Sequence, residues 1–493
     1  MKLTHPKSLT SSSKFDVHVR AVTLHSQPAK LHIDLEIAGR SFFSHITYQS
    51  IPSWDALWER YDQSIEPDLL GALVAWECMR FLALGGEKVI LCEGLQCSAT
   101  VCKLWTDCFR KQLGEWRYLN QLRYPSPTYP KLVVQEPISQ IECDGSTAPR
   151  QAQYPRAEVS PPPRKSDLLT NGGGKDTLAG ILLLREAGVP FDMYEGYVPI
   201  AKSSIALQEA LLQRLKEAAA LPESKTIKVK IEDNFFSCPD HVFEAMGVQA
   251  KHNKIDFIVG HTANYIGYFP VILYHQYTKV WFNIERSADN SMDDWDGEPI
   301  NHQWCKSVEY QQKAKQIFTQ ITNCNWFEGF FSTLRGLYDI SIYAIVAQHP
   351  QLMKATHSCN YDKPWCKRCP KCCFCYLMMC AYFDEEFAKE VVGSEISLFK
   401  IPQNRKHFEN LLDPDKVAWE CVPSHEECRL AGYICLQKGI DYPILRDFAQ
   451  FSKKEADRLW KKYTEINWEV VPNELHSVLS AGLRSAQQYS ESQ

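Results

Sequence analysis

From residue 165 onward, apolar runs of strand length alternate with amphipathic runs of helix length, and this alternation constrains the fold more than any other feature. Strand–helix–strand order builds a parallel sheet covered by helices. Asp167-Leu168-Leu169-Thr170 reads as the first strand, and Asp176 to Ala187 as a helix with Leu178, Ile181 and Leu182 on one face. Gly188 stands where a helix C-terminal cap belongs. Phe191–Tyr194, Thr226–Ile231, Ile255–Val259 and Val280–Ile284 read as further strands, and Ser204–Ala220 as a helix. Beyond about residue 305 the pattern is mainly helical.

The N-terminal part is organised differently. Phe15 to Gln49 alternates polar and apolar residues as strands do, with a turn at Ala38-Gly39, and residues 68–120 read as helices broken at Gly85-Gly86. Prolines from Pro125 to Pro163 mark a stiff connection. The expected organisation is an N-terminal α+β domain (1–124), a proline-rich linker (125–164), an α/β domain (165–395) and a helical C-terminal region (396–493).

Composition narrows the classes. Of the 493 residues 45% are hydrophobic and 23% charged, which excludes a disordered or collagen-like chain. A net charge of -5 argues against a nucleic-acid coat. No apolar run is long enough to span a membrane, and Met1 to Lys14 lacks the apolar segment of a secretory leader. A cytoplasmic location is therefore expected, with most of the 19 cysteines reduced and packed as small apolar side chains.

Two segments carry chemistry. Asn171-Gly172-Gly173-Gly174-Lys175-Asp176-Thr177 joins a strand to a helix, where glycines and a helix N-terminus suit an anion. A plain tight turn has the same composition. It is not a Walker A loop, because Leu169 occupies the place of its first glycine and Asp176 that of its hydroxyl residue. Nor is it a dinucleotide fingerprint, which needs glycine at Thr177. The second segment spaces Cys359, Cys366, Cys369 and Cys372 as Cys-x6-Cys-x2-Cys-x2-Cys. Such spacing closes a tetrahedral zinc site or an iron–sulfur site, and the short loop after the first cysteine favours zinc. A cysteine-rich helix is the alternative, since Cys373, Cys375 and Cys380 continue the run.

The Gly-Gly-Gly-Lys-Asp-Thr run resembles the Ser-Gly-Gly-x-Asp-Ser loop of the N-type ATP pyrophosphatases, and the cysteine layout resembles the zinc site of 7-cyano-7-deazaguanine synthase. Further segments extend the likeness in order along the chain. They are Gly114–Asn120, Asn283–Ala288, Asn301–Ser307 with Glu309, Phe331–Leu337, Trp365–Phe374, Trp419–Val422 and Glu426-Glu427. As a set they resemble the bacterial UDP-N-acetylmuramoyl-L-alanyl-L-glutamate epimerases.

The resemblance implies an adenine-nucleotide α-hydrolase-like sheet, ATP and Mg2+ as cofactors, structural Zn2+ on the four cysteines, and a small carboxylate or peptide substrate. It implies that Gly172, Gly173, Gly174 and Thr177 contact phosphates, that Lys175 neutralises charge and that Asp176 holds magnesium. Departures are Thr177 for serine and the lack of the family's Ser-Tyr-Tyr-Lys segment, where Leu82–Lys88 stands.

Residues at expected strand ends add candidates. They are His261, and Glu285, Arg286 and Ser287, of which Arg286 suits a phosphate or carboxylate. His302 and Lys306 lie four apart, on one face if helical. Cys421 is a candidate proton-transfer thiol. The activities expected are ATP-dependent epimerisation next to a carboxylate or, alternatively, adenylation in nucleobase or tRNA modification.

Overall fold

The computed structural model describes residues 7–8, 15–82, 86–120, 122–123, 130–134, 166–197, 205–235, 238–239, 241–242, 265–291, 293–295, 297–359, 361–416 and 422–480. The expected strand Ile255–Val259, His261, Cys421 and most of the proline-rich segment lie outside the described residues. The chain forms two compact units, each discontinuous in sequence. One comprises Met1–Arg164, Lys230–Thr278 and Met292–Gly329; the other comprises Lys165–Val229, Lys279–Ser291 and Phe330–Gln493.

In the first unit Phe15–His25, Ala29–Ile37 and Arg40–Tyr48 form an antiparallel meander. Ala29–Ile37 alternates buried and half-buried residues without a break, so Leu31, Ile33 and Leu35 face the core. Ala38 (φ +50°) and Gly39 (φ +74°) make the tight turn that the sequence pattern indicates. Gly86–Leu91 and Lys131–Val134 extend the sheet as parallel strands. Gly86 therefore opens a strand between the helices Glu66–Leu82 and Ala99–Gln112, where the sequence suggested only a break between helices. Within the core, Arg80 donates to Asp233 (2.7 Å) and pairs with Glu77, which accepts from Ser44 at 2.5 Å.

The second unit carries the α/β pattern expected from residue 165. Lys279–Phe282, Asp167–Thr170 and Phe191–Tyr197 are adjacent parallel strands, with Gly329–Ser332 and Thr226–Asp233 next in order on either side. Helix Lys175–Glu186 follows the first strand and ends at Ala187, with Gly188 (φ +66°) in the left-handed conformation a cap requires. Helices Asp339–Val346 and Pro370–Tyr382 are buried almost throughout. Around the second of these pack Glu385–Val392, Arg405–Leu412 and His425–Gln437. From Asp339 onward the helical character is thus a layer around one apolar helix, whereas helix Val308–Thr322 belongs to the first unit.

Candidate functional site

The glycine loop lies where the strand Asp167–Thr170 gives way to helix Lys175–Glu186. Asn171 organises it: its side chain accepts from the Gly173 N–H (3.1 Å) and donates to buried Glu195 (3.1 Å). Thr177 Oγ1 accepts from the Gly172 N–H at 3.0 Å, so the threonine fills the hydroxyl position of the loop. Gly174 is the helix N-cap and offers no side-chain bond, which leaves the first-turn amides for an external acceptor.

Gly173 is required by space, and Gly174 is tightly packed. At Gly173 (φ +74°) a Cβ would lie 2.0 Å from the ring of buried His357. At Gly174 it would lie 2.9 Å from Ser358 Oγ. The His357 N–H donates to the Gly173 carbonyl at 2.8 Å, so the segment before Cys359 is bonded to the loop. Burial, helped by Lys363 and Arg214, lowers the His357 pKa to about 3 and keeps its ring neutral.

Lys175 turns inward. Its side chain is 1% exposed, and its ammonium pairs with Asp176 and, at 2.5 Å, with Asp339, the first residue of helix Asp339–Val346. It also lies 5.5 Å from the Tyr343 ring centre and 5.7 Å from that of Phe374. Burial works against its charge, but Asp176, Asp339 and Glu285 outweigh it and hold the ammonium above the ordinary lysine range. Burial raises the Asp339 pKa, partly opposed by Lys175. Glu427, fully buried and close enough to feel Asp339, is pushed up to about 8, chiefly by burial.

The four cysteines converge. Their sulfurs all lie within 4.8 Å of one another, with Cys359 to Cys369 at 3.9 Å and Cys366 to Cys372 at 3.8 Å. Four thiolates around one zinc ion at about 2.3 Å stand about 3.8 Å apart, so the spacing is that of a single-metal site. A multi-iron cluster, whose cysteines bind different irons, needs wider spacing. The N–H groups of Tyr361 (3.4 Å), Asp362 (3.3 Å) and Cys372 (3.4 Å) point at the sulfurs, and Cys369 caps helix Pro370–Tyr382. None of the seventeen cysteines among the described residues is in a disulfide.

The strand-end candidates divide. Glu285 shares the field of Lys175 and Asp339, whereas the Arg286 guanidinium lies 4.7 Å over Tyr338 and donates to the Glu465 carbonyl (3.3 Å). The Ser287 carbonyl accepts from Asn290. His302 belongs to the first unit, where its Nδ1 lies 2.7 Å from buried Glu115. The turn Trp304–Lys306 there is 3-10, so the four-residue spacing of His302 and Lys306 does not define an α-helical face. The sequence did not single out Asp339 or His357, and Glu427 stood only within the Glu426-Glu427 segment. The partner demanded by a buried lysine pointed to Asp339 and the Ser424-x-x-Glu427 capping box marks Glu427, whereas His357 left no local signal.

A parallel α/β sheet with a glycine loop at a strand end, backed by buried charges and a four-thiolate centre, is the architecture of a ligand-binding enzyme domain. Two family models match the chain: the MurL N-terminal domain over residues 266–332 and the MurL C-terminal domain over residues 353–461. Three relatives carry the name UDP-N-acetyl-alpha-D-muramoyl-L-alanyl-L-glutamate epimerase. The Micromonospora protein is 26% identical over 364 residues, 70% of each chain. That of Salinispora tropica is 26% identical over 57% of this chain and 58% of its own length. That of Xanthomonas oryzae pv. oryzae is 25% identical over 54% and 55%. No solved structure matches. The chain is thus similar to the MurL epimerase family in both of that family's domains.

Proposed function

We propose that the chain is an ATP-dependent epimerase that adenylates the carboxylate of a glutamyl-type peptide, inverts the adjacent Cα and releases AMP and pyrophosphate. One observation carries the reading: an uncapped helix N-terminus at Gly174 meets a glycine loop so tightly packed that Gly173 admits no side chain. The relatives' names supply the substrate type.

Removing a Cα proton beside a free carboxylate would place two negative charges side by side. ATP, when bound, converts that carboxylate into an acyl adenylate with loss of pyrophosphate, which removes the obstacle. With ATP bound, Gly172 to Gly174 and the Thr177 hydroxyl would hold phosphate oxygens once the Gly172 and Gly173 amides leave their present acceptors, Thr177 Oγ1 and Asn171 Oδ1, and the partly exposed Asp176 carboxylate would hold Mg2+. Lys175 acts from behind the loop: paired with Asp339, it fixes the Asp176 carboxylate. Glu285 adds to the same field, and Arg286 and Ser287 line the neighbouring strand end. Zinc on Cys359, Cys366, Cys369 and Cys372 is structural, because all four positions are filled by protein ligands. His261 and Cys421 are the candidates for removing the proton and returning it on the opposite face. Water then hydrolyses the adenylate, giving AMP and the inverted carboxylate.

The test is pyrophosphate release from ATP with a panel of L-glutamyl peptides, run beside Asp176→Ala. Release that needs the peptide and vanishes in the variant supports the reading; no AMP with any carboxylate defeats it. Deuterium from heavy water must enter one Cα of recovered peptide. Adenylation without uptake would indicate ligation or modification chemistry.

A further inference from the structure

Two consecutive side chains of the segment before Cys359 meet the glycine loop, His357 at Gly173 and Ser358 at Gly174. The His357 ring is packing, since it fills the space that a side chain on Gly173 would need. Ser358 brings a hydroxyl. Its Oγ lies 2.9 Å from the place of a Cβ on Gly174 and its own Cβ lies 3.9 Å from the same point, so the hydroxyl is the part turned toward the loop. Ser358 is partly exposed, and its hydroxyl makes no hydrogen bond to another described residue. Elsewhere the loop is bonded to itself: the Gly172 amide donates to Thr177 Oγ1 at 3.0 Å and the Gly173 amide to Asn171 Oδ1 at 3.1 Å. Gly174 differs, because it starts helix Lys175–Glu186 with no side-chain cap. Its φ of -93° is open to any residue, so glycine is not needed there for backbone shape. Its missing side chain instead leaves Ser358 Oγ facing the helix start.

We propose that Ser358 is a phosphate-binding residue, donating its hydroxyl to an oxygen of the triphosphate held at the start of helix Lys175–Glu186; the inference rests on the reading of the loop as an ATP site. An ionised phosphate oxygen only accepts hydrogen bonds, and a serine hydroxyl rotates to donate to it. The helix amides and the hydroxyl stand at the same end of the loop, so one anion can take both. The chain on either side fixes Ser358. Cys359 is one of the four converging cysteines, and the His357 N–H is bonded to the Gly173 carbonyl at 2.8 Å. A side chain held in this way gives up little freedom when the anion arrives, which favours binding. The cysteine centre thereby serves the loop directly: it places a ligand-binding group beside it as well as bracing it.

The experiment is calorimetric titration of the full chain with Mg2+–pyrophosphate and with Mg2+–ATP, with bound metal and melting temperature measured on the same samples. Ser358→Ala should bind both probes roughly ten- to hundred-fold more weakly than native protein, the loss expected for one hydrogen bond to a charged group. Its metal content and melting temperature should match native. Ser358→Thr, which keeps the hydroxyl, should stay closer to native than Ser358→Ala. The inference alone is overturned if native protein binds the probes and Ser358→Ala binds them equally well. It is also overturned if the variant weakens only together with a loss of metal or a fall in melting temperature, since the serine would then be structural. Native protein that binds neither probe would overturn the ATP reading itself, and the inference with it.

Discussion

Replacing Gly173 by alanine tests the central geometry, and the fold supplies its own control. Gly173 sits at φ +74°, and a Cβ there would meet His357 Cε1 at 2.0 Å and Nε2 at 2.5 Å. His357 is 1% exposed and its backbone is bonded to Gly173, so the ring cannot swing into solvent. The left-handed backbone costs an alanine about 1–2 kcal/mol. Forcing a methyl into the packed ring adds about 1–3 kcal/mol. Gly188 has a similar φ of +66° with nothing within 4 Å of its added Cβ, so Gly188→Ala carries the first cost alone. For a unit of this size 1 kcal/mol corresponds to about 2–4 °C in Tm. Gly188→Ala should thus lose about 2–8 °C and Gly173→Ala about 4–20 °C, with Gly173→Ala the larger loss when the two are compared side by side by tryptophan fluorescence on heating the full chain. Pyrophosphate release should vanish in Gly173→Ala and persist in Gly188→Ala. Equal losses in the two variants would mean that His357 does not lie against Gly173, and the coupling of loop and cysteine segment would fall with it.

Lys175→Met strands a buried Asp339 without its cation and should cost about 3–5 kcal/mol in urea unfolding, whereas Lys175→Met/Asp339→Leu should recover most of the loss without restoring activity. Cys369→Ser should lose the bound metal, measured by elemental analysis, and should also weaken ATP-dependent protection of the loop from hydrogen exchange, because Cys359 is two residues from His357. Glu427 supplies a pH dependence. Its folded pKa of about 8 lies above its ordinary value of 4.5, so the folded state binds the extra proton. Its favourable contribution is complete below pH 4.5 and is lost as pH rises through 8. Glu427→Gln should flatten the fall in Tm between pH 5 and pH 8; an unchanged slope would remove Glu427 from the account.

What was legible in the sequence was what local spacing controls. The loop between Thr170 and Lys175, the glycine stop at Gly188 and the turn at Ala38-Gly39 each need a backbone shape that few residues adopt, and the residues themselves announce it. The cysteine spacing likewise specifies its own geometry, since Cys369 caps helix Pro370–Tyr382, Cys372 lies in its first turn, and Cys366 and Cys359 precede it on one short segment. The strand at Gly86 was hidden because its pairing partners, Phe15–His18 and Lys131–Val134, are distant in sequence. The two-unit division was hidden for the same reason: segments 230–278 and 292–329 join the first unit through contacts that no composition shift marks.

Lys175 shows how far such reading reaches. Beside three glycines and an aspartate, a lysine suits a phosphate, and its charge alone supports that role. Burial decides otherwise. A side chain 1% exposed between two carboxylates and two aromatic rings is an internal counter-ion. The positive end presented to an anion is then the helix N-terminus, whose amides need no side chain. The ammonium instead prevents Asp176 and Asp339 from repelling each other and so favours an ionised Asp176, as the proposed function requires. On the proposed function, Lys175 would therefore serve the anion indirectly, by keeping a carboxylate in place.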